Sequence, residues 1–116
     1  MSTGLQDGLA LIRAGRYFEA HEALEDEWRS AAAEERDFLQ GLVHVAVAWY
    51  QAGRRNRVGC ERQLAKARRR LAPYAPAHRG VEVSALLARL DLVEADLLQY
   101  AVDGDVQPPG PIEEEE

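Results

Sequence analysis

The segment from Arg16 to Arg29 combines a histidine with several carboxylates at spacings that suit acid–base chemistry. His21 and Glu25 are four residues apart, so in an α-helix both side chains project from one face. An imidazole and a neighbouring carboxylate can share a proton near neutral pH, as a general acid or base requires. His21 and Glu25 are therefore the candidate catalytic residues of an acid–base or hydrolase-like enzyme.

A metal site is the second kind of chemistry that these residue types permit. Imidazoles combined with carboxylates bind zinc, iron or manganese, and His44 would add a second imidazole to His21 and Glu25. The spacing differs from that of di-iron helix bundles, which use Glu-x-x-His on two helices. We therefore expect no cofactor, and a divalent metal ion at His21, Glu25 and His44 is the alternative.

The same residues also suit a structural role. Counting 100° per residue from His21, apolar residues that include Phe18 and Trp28 form a face containing Glu25. This pattern predicts that His21 faces inward, and buried polar groups are nearly always hydrogen bonded. The sequence thus favours a buried His/Glu/Gln network that fixes helix register over either kind of catalysis. The members of this polar core cluster are His21, Glu22, Glu25, Arg29, Gln40 and His44.

Five helical segments are needed to position these residues. Apolar residues recur at helical spacing along the chain, and no segment alternates as a strand would. Glycines and prolines separate the segments, and short connections favour antiparallel neighbours. The predicted fold is all-α, a compact bundle of about five antiparallel helices arranged as stacked helix hairpins. The predicted helices cover about residues 4–14, 17–30, 33–52, 57–72 and 81–102.

Length and composition limit the number of domains and the location. A chain of 116 residues that is 47% hydrophobic can bury one core, so we expect a single helical domain over residues 1–103. Residues 104–116 are rich in proline and glutamate and are expected to form a disordered acidic tail. No apolar run reaches the ~18 residues that a membrane span needs, and no signal peptide is recognisable. A cytoplasmic location without a membrane partner is expected.

The predicted fourth helix has a strongly basic surface. Residues 54–70 contain eight basic residues and one acidic residue, and several bases fall opposite an apolar stripe that contains Cys60. Such a face can bind phosphates, but no aromatic residues are interleaved to stack on single-stranded bases. Weak nucleic-acid binding is therefore a second alternative function, and a solvated face is favoured over it. The basic face consists of Arg55, Arg62, Lys66 and Arg69.

Three ordered sequence blocks carry a family resemblance: GRYFEAHEALEDEWR at 15–29, RDFLQGLVHVAVAWY at 36–50 and GRRNRVG at 53–59. Together they resemble a bacterial and archaeal family known as domain of unknown function 309, over about residues 5–74. The resemblance implies a small helical cytoplasmic protein without an assigned activity. His44 departs from the family pattern, in which glutamine is more frequent. The family's polar positions correspond to Glu19, His21, Glu22, Glu25, Trp28, Arg29, Gln40 and Asn56.

The sequence as a whole favours a non-enzymatic helical domain that uses its outer face for interaction. The expected partner is another protein or a second copy of the chain, whereas a metal-dependent or acid–base enzyme is the alternative. Trp28 and Trp49 lie on the apolar faces of their helices, so both are expected to be largely buried. His78, in a proline-containing loop, is expected to be solvated.

Overall fold

The structure is a computed structural model of the chain that describes residues 4–99. Within this range it contains five α-helices, a 3-10 turn at Ala72–Tyr74 and no strand, which confirms the predicted all-α fold. The predicted end of the fifth helix, the domain boundary at 103 and the tail at 104–116 lie outside the described residues. The helices are α1 (Gly4–Arg13), α2 (Tyr17–Arg29), α3 (Ala33–Gly53), α4 (Arg57–Leu71) and α5 (Val83–Gln99).

Helix α3 is at the centre of the core. Its part from Phe38 to Gly53 has no formally charged residue, and ten residues of the helix are buried. Helices α2 and α4 both pack extensively against α3, and leucines of α1 and α5 belong to the same apolar cluster. The positions of α2 and α4 are therefore set by the apolar surface of α3, whereas α1 packs mainly on α2 and α5 on α4.

Local sequence signals explain where the helices begin and end. Gly15 has φ 76° between α1 and α2, a left-handed conformation that favours glycine. Asn56 precedes α4, and its side-chain oxygen accepts a hydrogen bond of 2.9 Å from the backbone N–H of Gly59. Pro73 follows the last turn of α4, since proline cannot continue a helix interior. The predicted ends of the first four helices are confirmed to within about one residue.

The loop before α5 packs against α3. Nε2 of His78 lies 2.8 Å from Oε2 of Glu35, and the His78 ring packs edge-on against Phe38 with centroids 4.7 Å apart. The hydroxyl of Tyr74 donates a hydrogen bond of 2.7 Å to the backbone oxygen of Glu34. The expectation that His78 is solvated is wrong, because this loop covers the part of the core around Phe38.

The two tryptophans differ in burial. Trp49 is fully buried, as expected. Trp28 is only half-buried, and the guanidinium of Arg36 lies 4.8 Å from the centroid of its ring. Trp28 packs against the core cluster but is less completely buried than Trp49, because α2 turns a different side toward the core than its apolar pattern indicates. Among residues 4–99, no helix has the combined length and apolarity to cross a membrane.

Gly41 and Gly53 of α3 provide a matched test of the α3–α4 contact. A Cβ at Gly41 would lie 2.6 Å from Cγ of Leu71, whereas a Cβ at Gly53 would meet nothing within 4 Å. Alanine favours a helix over glycine by up to ~1 kcal/mol, but overpacking a core costs ~1–3 kcal/mol. We expect Gly41→Ala to lower the free energy of unfolding and Gly53→Ala to preserve or raise it. Urea titrations followed by circular dichroism measure both, and equal stability of the two variants would contradict the close contact.

Candidate functional site

Helix α2 turns its histidine away from the core because α1 occupies the adjacent side of the helix. Ala20 and Leu24 are the fully buried residues of α2. Leu24 packs so tightly on α1 that a Cβ at Gly8 would lie 2.6 Å from its Cγ. At 100° per residue, the buried side of α2 is rotated by roughly 80° from His21. The side predicted to be buried is only partly covered, and Phe18 is 55% exposed.

The His21–Glu25 pair lies at the half-exposed edge of α2. Nε2 of His21 is 3.5 Å from Oε2 of Glu25, and the two side chains are 26% and 33% exposed. Arg29 approaches the same carboxylate to within 3.8 Å and also pairs with Asp26. Glu22 is exposed and has no ion-pair partner among residues 4–99. The sequence therefore placed His21 and Glu25 correctly beside each other, but on a surface rather than in the interior.

His44 interacts with α4. Its Nδ1 donates a hydrogen bond of 2.8 Å to Oε1 of Gln63, and Gln40 is half-buried one turn earlier on α3. Within the part of the chain that the structure describes, no polar or charged residue is fully buried. The predicted polar core cluster is corrected in this respect: its members form half-exposed or exposed groups, because the core is completed by apolar residues of α1, α4 and α5.

The three candidate metal ligands are not assembled into one site. His44 is held by Gln63, and residues 4–99 contain no group of three or more His, Cys, Asp or Glu side chains that could hold a metal ion. His21 and Glu25 alone supply two ligands, whereas protein zinc sites use three or four. Metal binding at His21 and Glu25 would need at least one further ligand that residues 4–99 do not place beside them.

The thiol of Cys60 does not provide a nucleophile. Cys60 is buried on the side of α4 that packs into the core. Burial, together with a smaller effect of the Glu61 charge, raises the pKa of the Cys60 thiol to about 11. Because the thiolate is the reactive form, a buried thiol of high pKa is inert at neutral pH.

A groove lies between α2 and α3, next to His21. It has a volume of about 170 Å³, close to that of the ~150 Å³ apolar cavity that binds one benzene molecule. Small-molecule sites usually occupy ~300–1,000 Å³, so this groove fits one large apolar side chain better than a whole substrate. It is lined by Tyr17, Phe18, His21, Val47, Tyr50 and Gln51.

The groove continues along an uncovered stripe of α3. The half-buried residues of this helix after Phe38 recur at helical spacing, and all its other residues up to Ala52 are buried. Val47 and Tyr50 were not predicted as site residues. The signal in the sequence for this stripe was the alignment of Gln40, His44 and Gln51 along one side of α3. Its members are Gln40, His44, Val47, Tyr50 and Gln51.

The basic residues of α4 form two sets. Arg57, Arg68 and Arg70 make ion pairs, two of them to other elements: Arg68 with Asp91 and Glu94 of α5, and Arg70 with Asp37 of α3. The second set is exposed and has no hydrogen-bond or ion-pair partner among residues 4–99. Arg55 is also exposed, so all four residues of the predicted basic face lie at the surface, and binding of a partner there stays a prediction. The second set is Arg62, Lys66 and Arg69.

This arrangement defines a small all-helical domain with a His–Glu pair beside an aromatic groove and with a basic helix across the half-buried stripe of α3 from that pair. The chain belongs to the family described as Domain of unknown function (DUF309), whose sequence profile matches residues 5–63. One relative is the uncharacterized protein YpuF of Bacillus subtilis (strain 168), which is 37% identical over 67 residues. The match covers 57% of this chain and 37% of the relative, so the two proteins share only part of their lengths.

The environment of His44 makes the free energy of unfolding depend on pH. Burial is the main cause that lowers the pKa of His44, the hydrogen bond to Gln63 raises it, and the cations Arg70, Lys66 and Arg69 lower it. The folded-state pKa therefore lies below the ordinary value of about 6.5, so the unfolded chain binds the proton first. The stability contribution is complete above about pH 6.5 and is lost as the pH falls from there to the folded-state pKa.

His44→Gln removes this titration and retains an amide that can bond to Gln63. We expect the free energy of unfolding of the wild type to fall more steeply between about pH 7.5 and about pH 5.5 than that of the variant. Urea titrations across this range measure the difference, and the other two histidines cancel because both proteins contain them. Parallel pH profiles would contradict the assignment.

Proposed function

We propose that this protein is a non-enzymatic interaction domain whose outer face binds a protein partner. The outer face consists of the exposed side of α2, the uncovered stripe of α3 and the exposed side of α4. The observation that carries the proposal is the groove beside Phe18, an aromatic residue at the second position of α2 that is 55% exposed. Contact surfaces are enriched in aromatic residues, which often supply most of the binding energy.

The chemistry of the groove supports recognition of an apolar side chain. The rings of Phe18 and Tyr50 have centroids 5.9 Å apart, and Phe18 and His21 have the same separation. Val47 completes an apolar wall, while Gln51 accepts a hydrogen bond from Asn56 through its side-chain oxygen at 3.0 Å. An aliphatic or aromatic anchor of a partner would replace water against these rings, with polar groups at the rim.

The His21–Glu25 pair supports a second candidate, an acid–base or metal-dependent enzyme. Nε2 and Oε2 are 3.5 Å apart at the edge of the groove, so a bound group could reach His21. The small groove volume and the inert Cys60 thiol favour binding over hydrolase-like chemistry. The enzyme therefore ranks second.

Phe18→Ala tests the interaction proposal, with Leu92→Ala of α5 as the matched control. Both side chains are exposed, at 55% and 68%, so neither loss should change the free energy of unfolding by more than ~0.5 kcal/mol. Peptides selected from a random displayed library on the immobilised wild type should carry a large apolar anchor. We expect Phe18→Ala to weaken their binding at least ~10-fold, as loss of a hot spot does, and Leu92→Ala to leave it within ~2-fold. Failure to select peptides, or equal binding to both variants, would refute the proposal.

Glu25→Gln separates the two candidate functions. For an interaction domain the variant should keep its melting temperature within a few degrees and its peptide binding, because half-exposed ion pairs contribute only ~0–1 kcal/mol. A metal-dependent enzyme would instead show stoichiometric metal in the wild type by elemental analysis and lose it in the variant, since glutamine is a weak ligand. An acid–base enzyme would lose turnover of model esters without loss of folding. Either of the last two results would overturn the ranking.

A further inference from the structure

We propose that the partner of the outer face is a second copy of this chain, with α2 of each copy against α4 of the other. This inference rests on the proposed function, which it extends by naming the partner. It follows from how charge and exposed apolar residues are distributed over α2, α3 and α4.

The outer face has opposite charges on its two sides. Helix α2 contains five acidic residues and one basic residue, whereas α4 contains six basic residues and one acidic residue. Between them, α3 has no formally charged residue from Phe38 to Gly53. The surface is therefore negative on one side, neutral in the middle and positive on the other.

Contacts of α3 place the two charged helices on either side of one open stripe. Phe18 of α2 contacts the ring of Tyr50, and Gln63 of α4 hydrogen bonds to His44. Tyr50 and His44 are both half-buried members of the uncovered stripe of α3. Helices α2 and α4 are thus the two walls of the same surface and can be contacted together by one partner.

A surface of this kind is complementary to a copy of itself. A two-fold axis along the neutral stripe places α2 of each copy over α4 of the other, so that both contacts are formed at once. A partner with one sign of charge, such as the phosphate backbone of nucleic acid, would be attracted to α4 and repelled by α2. Charge complementarity therefore favours a second copy over nucleic acid.

The exposed residues of the two helices also match position by position. Each helix has an exposed apolar residue at its second position, and exposed charges follow four and eight residues later. When the helices lie side by side in the same direction, the apolar residues meet and each acidic residue meets a basic one. The matching sets are Phe18, Glu22 and Asp26 on α2, and Val58, Arg62 and Lys66 on α4.

The charged residues of these matching sets make few ion pairs within the described part of the chain. Glu22, Arg62 and Lys66 have no ion-pair partner among residues 4–99. Within residues 4–99, Asp26 pairs only with Arg29, one turn away on the same exposed helix surface, and such a contact contributes little to stability and is easily exchanged. The intrachain pairs of Arg68 and Arg70 join α4 to other elements and lie outside the register.

A charge exchange at Glu22 and Arg62 tests the proposal on the full chain by sedimentation equilibrium at low ionic strength. The wild type should be a reversible dimer that weakens as salt screens the charges. Glu22→Arg and Arg62→Glu should each raise the dimer dissociation constant at least ~10-fold, because two symmetric contacts are lost together. The double variant, which restores both contacts with reversed sign, should return to within ~3-fold of the wild type.

Glu82→Arg is the control, since Glu82 is exposed outside the outer face and undergoes the same change of charge. It should leave the dissociation constant within ~2-fold. A chain that stays monomeric, or a dimer indifferent to Glu22→Arg and Arg62→Glu, would overturn the inference. The proposed function would survive either result if selected peptides still require Phe18.

Binding of duplex DNA is measured in parallel by fluorescence anisotropy. If Arg62→Glu abolishes DNA binding while sedimentation is unchanged, the basic residues serve nucleic acid and the self-association proposal is refuted. We expect instead that DNA binds weakly, and that Glu22→Arg does not change the affinity for DNA in parallel with the dimer dissociation constant.

Discussion

Helix α3 needs cover around most of its circumference, and no single neighbour can provide it. Its ten buried residues are covered by α2 on one side and by α4 on another, and leucines of α1 and α5, which pack on α2 and α4, belong to the same apolar cluster. One stripe remains half-exposed, where Gln40, His44 and Gln51 lie. Burying an unpaired polar group costs ~1–3 kcal/mol. These three polar residues therefore fit on α3 only where the neighbouring helices leave it partly exposed.

The same constraint explains the character of the site. Because α1 packs on Ala20 and Leu24, α2 cannot also turn His21 into the core, and the His21–Glu25 pair lies at the edge of the groove. Ion pairs in contact with solvent interact weakly, which is unfavourable for tightly coupled acid–base chemistry. The exposed ring of Phe18 and the small groove beside it are better suited to recognition of an apolar side chain.

Acidic residues are concentrated on α2 and basic residues on α4, and only some of these charges make contacts that hold the fold together. Arg68 and Arg70 join α4 to α5 and α3, so they support the position of α4 within the chain. Arg62, Lys66 and Arg69 make no such contact among residues 4–99, and they lie across the neutral stripe from the acidic α2. Separated charge of this kind accelerates association and selects the orientation of a partner more than it adds affinity.

The sequence by itself determined the helices, their ends at Gly15, Asn56 and Pro73, and the central position of α3, because these follow from local propensity and periodicity. It also placed His21 beside Glu25, since four-residue spacing is a property of one helix. Only the tertiary structure decided which side of α2 is buried, that His44 pairs with Gln63, and that the loop at His78 covers the core. Two helices, α1 and α3, compete for the broad apolar surface of α2, and periodicity within one helix cannot specify which contact determines its rotation.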